Sequence, residues 1–302
     1  MKFIIAGGSG FIGRELVGRL HEAGDEVVLL SRNPSPTRQH IPSSVIVEQW
    51  DGVRAGSWTA RLDGAAAVIN LAGEPMGERR WSRRQKELIR DSRMNATRAI
   101  VEGIASATVK PEVLVNASAV GYYGDVPDDE VTEEYPPGSG LLAEVCRGWE
   151  AEALRARSMG VRVVLLRTSI ALGDGGALAR MLMPFRFFVG GPLGSGRQWF
   201  PWIHRDDVVS AIEFGLRERS LEGPVNLAAP EPVRMADFCR TLGRVLHRPS
   251  WLPVPAIALK LLLGEMSAMV LTGQKVVPRK LLVAGFHFRF SRLETALEDI
   301  VR

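Results

Sequence analysis

Along the first half of the chain, short apolar runs rich in β-branched residues alternate with longer stretches whose apolar positions recur every three to four residues. The short runs fall at 3–6, 26–30, 45–48, 67–71, 113–117 and 161–166, and the longer ones include 12–23, 83–106 and 143–158. The first set predicts strands and the second amphipathic helices, each long enough to cross back over a sheet, so parallel βαβ units joined by right-handed crossovers are expected. After Arg167 the pattern loosens. Gly- and Pro-rich segments at 173–176 and 190–202 flank a helical stretch at 178–188. A helix at 206–219, a strand at 224–227 and a helix at 235–246 follow, then a proline-punctuated connection at 249–255 and helices at 256–271 and 291–301. The pattern divides the chain into residues 1–172 and a smaller region, 173–302, with the helix and strand near 205–228 expected to return to the first part.

Composition narrows the class. Of 302 residues, 46% are hydrophobic and 24% charged, the balance of an ordered globular protein. The formal net charge is +4, and the basic residues are interleaved with acids except at Arg79, Arg80, Arg83, Arg84 and Lys86. No nucleic-acid partner is expected; that cluster reads as a solvated helix face or as a positive field near an anionic ligand. Two distant cysteines, Cys146 and Cys239, suggest neither a disulfide framework nor a metal site and fit a reducing cytoplasm. Met1-Lys2 leads directly into an apolar run, which leaves no room for a cleavable signal peptide. The most membrane-like stretch, 256–271, is interrupted by Lys260 and Glu265 and falls short of a span, so no membrane partner is expected.

The first predicted strand runs into Gly7-Gly8-Ser9-Gly10-Phe11-Ile12-Gly13 and then a helix. That strand–glycine turn–helix context is the one in which a glycine motif binds a dinucleotide. Gly7 permits a sharp exit from the strand, Gly10 lets main chain approach a pyrophosphate, and Gly13 lets the helix pack closely on the sheet. The predicted class is therefore α/β, a Rossmann-type doubly wound parallel sheet with a smaller C-terminal substrate-side region. At the tip of the second strand stand Ser31 and Arg32, where an NAD site would carry an acid for the ribose 2′-hydroxyl. A guanidinium beside a hydroxyl suits a 2′-phosphate, so NADP(H) is expected over NAD(H). Asn70-Leu71-Ala72-Gly73 is a small-residue turn whose backbone can lie along the cofactor at the sheet's carboxyl edge.

Together with Ser92-Arg93 and Thr97, the turn from Ser118 through Tyr122 and Tyr123 to Gly124, Trp199-Phe200-Pro201-Trp202-Ile203-His204, and Gly273 to Pro278 near the C-terminus, these motifs make nearly the whole chain resemble the extended short-chain dehydrogenase/reductase superfamily. The particular similarity is to its atypical branch of NAD(P)-binding, epimerase-like proteins. The resemblance implies that Ser31, Arg32, Leu71, Ala72 and Arg93 line the cofactor site. It also implies that Trp199, Trp202 and His204, with Gly190 to Gly194, wall a substrate pocket. An ordinary reading of that last motif has Asp206 capping the helix behind it and the tryptophans in the core.

The superfamily's Tyr-x-x-x-Lys pair is missing. The tyrosines are Tyr122, Tyr123 and Tyr135, each followed four residues on by Val126, Pro127 and Ser139; where the pair belongs stand Leu142 and Cys146. Ser118, Tyr122 and Tyr123 remain as candidates to pass a proton. Two functions stay open: an NADP-dependent oxidoreductase or epimerase acting on a small hydroxyl or carbonyl substrate, and an NADP(H)-binding protein that senses the nucleotide without turning it over.

Overall fold

A computed structural model describes residues 1–301. Seven parallel strands form the central sheet: β1 (Lys2–Ala6), β2 (Glu26–Ser31), β3 (Ile46–Gln49), β4 (Ala67–Asn70), β5 (Val113–Ala119), β6 (Arg162–Thr168) and β7 (Gly223–Leu227), in the order β7-β6-β5-β4-β1-β2-β3. The chain winds outward from β1 through β2 to β3, then returns to β4 on the other side of β1. This reversal opens a crevice between the carboxyl ends of β1 and β4, where open parallel sheets bind ligands.

The strands are apolar on both faces because both are covered. Phe3 and Ile5 point toward α1 (Phe11–Glu22) and α5 (Arg205–Arg217), packing with Leu16, Val17, Val209 and Ile212. Ile4 and Ala6 point the opposite way, toward α2 (Arg83–Ser106) and α3 (Leu141–Leu154), among Ile100, Ile104 and Ala153. The expected single helix at 143–158 ends at Leu154 and tightens into a 3₁₀ turn, Arg155–Met159.

A third core joins α4 (Gly176–Arg186), α6 (Met235–Val245) and α8 (Leu293–Val301) through Leu178, Phe185, Phe238, Leu242 and Leu297. The predicted helix at 256–271 is broken: α7 (Ala256–Leu263) stops at Gly264, whose φ of +61° is left-handed, and a 3₁₀ turn and the short helix Ala268–Leu271 follow. Among the described residues no helix is long and apolar enough to cross a membrane, and no group of three or more His, Cys, Asp or Glu side chains is placed to hold a metal ion.

Candidate active site

Because all seven strands are parallel, Gly7, Ser31, Leu71, Ser118 and Thr168 emerge at one edge of the sheet, held in register by the pairs Ala6–Asn70, Asn70–Asn116 and Ser118–Arg167. A buried polar cluster fixes the middle of that edge. Asn70 Nδ2 donates to Thr97 Oγ1 (3.0 Å) and Asn116 Oδ1 (2.7 Å), Trp149 Nε1 donates to Thr97 Oγ1 (2.9 Å), and Asn70 Oδ1 accepts from the Ala72 amide. This ties the Leu71–Gly73 loop to α2 and α3.

The glycine turn is shaped by its neighbours. Gly7 has a φ of +79°, and a β-carbon there would lie 2.6 Å from the Leu71 carbonyl carbon. Only glycine meets both demands. At Gly13 a β-carbon would overlap the Gly7 carbonyl and Gly8, whereas at Gly10 it would meet only the Gly7 oxygen, at 3.2 Å. Ser9 and Gly10 are exposed and Phe11 and Ile12 half-buried, and no side chain caps the start of α1. The result is an open rim of main-chain N–H groups at the positive end of a twelve-residue helix, a fit for a pyrophosphate. Gly173, Gly175 and Gly176 lie against the Phe11 ring, and Arg205 sits over it at 5.3 Å. The loosened segment after β6 is thus glycine-rich partly because it packs on Phe11.

At the β2 tip, Arg32 is exposed and makes no ion pair among the described residues, while its carbonyl accepts from Gln49. Ser31 is buried; its hydroxyl shares a 2.8 Å hydrogen bond with Thr37 and accepts from the Asn33 amide. Arg93 is buried beside Gly73, donates to the Glu74 and Ile89 carbonyls (3.0 and 2.9 Å) and lies 5.0 Å from the Trp149 ring. With no carboxylate bonded to it, burial draws its pKa down.

The other end of the crevice is built from side chains. Arg167 forms a bidentate pair with Glu150 (2.9 and 2.8 Å) and also donates to Tyr123 Oη (3.0 Å) and the Glu133 carbonyl (3.1 Å). Its guanidinium lies 3.5 Å over the Tyr122 ring. Burial opposes its charge, but the bonds to Glu150 and Tyr123 outweigh that and raise its pKa. Tyr123, nearly inaccessible, donates to Asn226 Oδ1 (2.6 Å), and burial pushes its hydroxyl up to about 12. Ser118 Oγ donates to Glu150 Oε1 (2.6 Å). Of the three hydroxyls expected to pass a proton, those of Ser118 and Tyr123 are therefore bound into a buried ionic network, a setting that makes them parts of the scaffold. Tyr122 is half-buried, and its hydroxyl has no hydrogen-bond partner among the described residues.

Next to this turn, Leu142 packs against Gly121. Cys146 points back at the Ala119 carbonyl (3.7 Å), and burial followed by the Glu150 charge lifts its thiol to about 11. The roles of Glu150 and Arg167 escaped the sequence reading. Their only signals were an arginine closing the apolar run of β6 and an acid on the buried face of α3.

The expected aromatic wall separates into different environments. Trp199 is half-buried, donates to the Pro127 carbonyl and has Arg234 3.6 Å from its ring centroid. Trp202 belongs to the third core, and its buried indole N–H has no partner among the described residues. His204, not Asp206, caps α5: its Nδ1 accepts from the Asp206 amide (3.1 Å) and its ring stacks on Phe290 at 3.9 Å. The β-strand Trp202–His204 pairs with Ile170–Leu172, which turns these side chains inward. Trp202 and His204 thus line the interior rather than a cleft. The basic cluster is partly engaged as well, Arg80 donating to the Leu261 carbonyl and Lys86 pairing with Glu265. A cavity of about 550 Å³ opens between the first turns of α2 and α3, lined by Trp81, Lys86, Arg90, Leu141 and Glu144 among others. No residue of the glycine turn or the Ser118–Tyr123 turn borders it.

A switch-point crevice with a glycine turn on its floor is the arrangement of a dinucleotide-dependent enzyme family, and the chain belongs to one: the NAD dependent epimerase/dehydratase family, whose model matches residues 3–228. Residues 254–300 match a domain of unknown function, DUF1731. The chain is 45% identical over 310 residues to the Arabidopsis thaliana epimerase family protein SDR39U1 homolog, chloroplastic, covering all of this chain and 87% of that one. It is 38% identical to epimerase family protein YfhF of Bacillus subtilis, over 100% and 98% of the two chains. The crystal structure of human epimerase family protein SDR39U1 (isoform 2) with NADPH is similar to it with a TM-score of 0.90 and 34% identity, over 99% of each chain.

Proposed function

We propose that the crevice binds NADP(H) and that the protein is an oxidoreductase or epimerase-like enzyme acting on a small substrate with a hydroxyl or carbonyl group. The observation that carries the nucleotide assignment is the open rim of main-chain amides at Ser9 and Phe11–Gly13, the Gly10 amide being turned back onto the Gly7 carbonyl, with Arg32 making no ion pair among the described residues at the β2 tip. Gly7, Ser9, Gly10, Phe11, Ile12 and Gly13 would hold the pyrophosphate, and Arg32 the 2′-phosphate, with Ser31, its hydroxyl bonded to Thr37 and the Asn33 amide, shaping the β2 tip behind it. Leu71, Ala72, Gly73 and Arg93 would border the ribose and nicotinamide half. The human relative solved with NADPH supports this choice of nucleotide. Bound there, the cofactor supplies or accepts a hydride.

The chain's own task is then to move one proton, and Tyr122 is the group we assign to it, because the Ser118 and Tyr123 hydroxyls are already engaged. Arg167 stacks on the Tyr122 ring and, through Glu150 and Tyr123, holds the turn that carries it. One feature favours a second reading, that of a nucleotide sensor without turnover: Leu142 and Cys146 occupy the place of the family's Tyr-Lys pair.

Titration with NADPH and NADH tests the cofactor. The unmodified protein is expected to prefer NADPH, and Arg32→Ala to lose about tenfold to a hundredfold in NADPH affinity with NADH unchanged, the loss of a charge-assisted contact of about 1.5–3 kcal/mol. Equal affinities for the two nucleotides would sink the NADP(H) assignment. For the chemistry, NADPH-loaded protein is followed by absorbance against a panel of sugar nucleotides, quinones and aldehydes. With a substrate found, Tyr122→Phe should lower turnover by roughly 10²–10⁴-fold while leaving NADPH affinity intact. Undiminished turnover removes Tyr122 from the mechanism.

A further inference from the structure

Nine of the fifteen large hydrophobic side chains exposed among the described residues come from two segments that lie side by side. Met183, Phe187, Phe188 and Val189 close α4, and Trp251 and Leu252 run beside them: the Trp251 indole donates to the Phe188 carbonyl, and the Trp251 and Leu252 amides both donate to Gly190 O. The second segment continues into α7, which exposes Ile257, Leu261 and Leu262 and buries only Leu259. Ile257 and Leu261, four residues apart, share a face of the helix. Phe188 sits at a φ of +61°, a left-handed conformation that a bulky residue adopts at a cost, yet its ring is turned to solvent. Burial within the chain explains none of this.

The charge on the same segments is one-sided. Residues 175–204 contain Arg180, Arg186 and Arg197, and residues 238–264 contain Arg240, Arg244, Arg248 and Lys260; neither contains Asp or Glu. They carry +7 in a chain whose net charge is +4, so the rest of the protein is net −3. Arg240 and Arg244 find partners in Asp237 and Glu294. Arg186, Arg248 and Lys260 are exposed with no carboxylate partner among the described residues, and Arg248 lies over the Phe188 ring at 4.5 Å.

We infer that this face docks on an anionic lipid surface, with the aromatic and aliphatic side chains entering the headgroup boundary and the cations meeting the phosphates. Apolar side chains with a tryptophan, carried on segments that hold arginine and lysine but no acid of their own, have the composition of an interfacial anchor. A second copy of the chain is the less suitable occupant, since a two-fold contact sets the same patch against itself and would bring these unpaired cations face to face. The absence of a spanning helix, from which no membrane partner was expected, does not bear on a surface that lies on the bilayer. The inference is independent of the nucleotide reading.

Co-sedimentation of the full chain with vesicles of phosphatidylcholine, alone and mixed with phosphatidylglycerol, tests it. Retention is expected on the mixed vesicles only, and added salt should release the protein. Arg186→Glu/Arg248→Glu should weaken retention at least about tenfold, given about fivefold per cation. Phe187→Ser/Leu261→Ser should do so by a similar factor through lost apolar burial. Both variants alter exposed positions, so their melting temperatures should match the parent. Equal retention on both vesicle types, or none, overturns the proposal. So does a dimer in sedimentation equilibrium that Phe187→Ser/Leu261→Ser dissociates, without vesicle retention.

Discussion

At the glycine turn the surface offered to a ligand is main chain, left open by residues with no side chain; at the Ser118–Tyr123 turn it is a set of side chains locked by a buried arginine–glutamate pair. The first is made by what is missing. Gly7 and Gly13 allow the β1 exit, the Leu71 loop and α1 to approach to distances that any β-carbon would forbid. The second is made by what is added, since Arg167 and Glu150 together tie down Tyr123, Ser118 and the Glu133 carbonyl. The difference shows why cofactor binding and catalysis can diverge within one fold. A main-chain cradle tolerates almost any change except a larger residue at a glycine, whereas a side-chain corner depends on the identity of each member.

That contrast can be broken from either side. Deleting a carboxylate should disrupt the corner most: Glu150→Ala leaves the Arg167 charge buried and unpaired and should cost about 3–5 kcal/mol in a denaturant titration. A loss under about 1 kcal/mol would mean that the pair does not hold the turn. Adding a methyl should disrupt the cradle: Gly13→Ala forces α1 away from the Gly7 carbonyl, with an expected cost of about 1–3 kcal/mol in stability and about a tenfold loss of NADPH affinity. Affinity that survives with stability reduced would separate packing from binding.

The smallest effect is expected at His204, away from both ends. Burial holds its pKa below the ordinary value of 6.5, against the pull of Asp206, Asp299 and Asp207. A depressed histidine pKa means that the folded state disfavours the charged ring. The stability from the neutral ring is full above pH 6.5 and is lost as pH falls below it toward the folded-state value. His204→Asn keeps a cap acceptor for the Asp206 amide and should flatten that part of the melting temperature–pH profile between pH 7 and 5. An unchanged slope would assign the acid sensitivity elsewhere, and not to Asp207, whose pKa burial raises so that it gains stability as pH falls.

The strands of the sheet, α1 and the glycine turn were legible in the sequence because each is written in a local code: apolar runs for strands, a 3.6-residue period for helices, and glycine where main chain must turn sharply or pack closely. Helix α2 lies at residues 83–106 as the periodicity predicts, and the exposed Arg32 follows directly from its place after β2. Tertiary structure alone decided which polar groups are engaged. Ser118 meets Glu150 across 32 residues of chain and Tyr123 meets Asn226 across 103, separations over which no periodicity carries information. It also turned Trp202 and His204 inward, through a strand pairing that the motif does not encode, and left Phe187, Phe188, Leu261 and Leu262 uncovered. Hydrophobicity says that a side chain gains by leaving water; only the packed chain determines whether anything within the molecule is there to cover it.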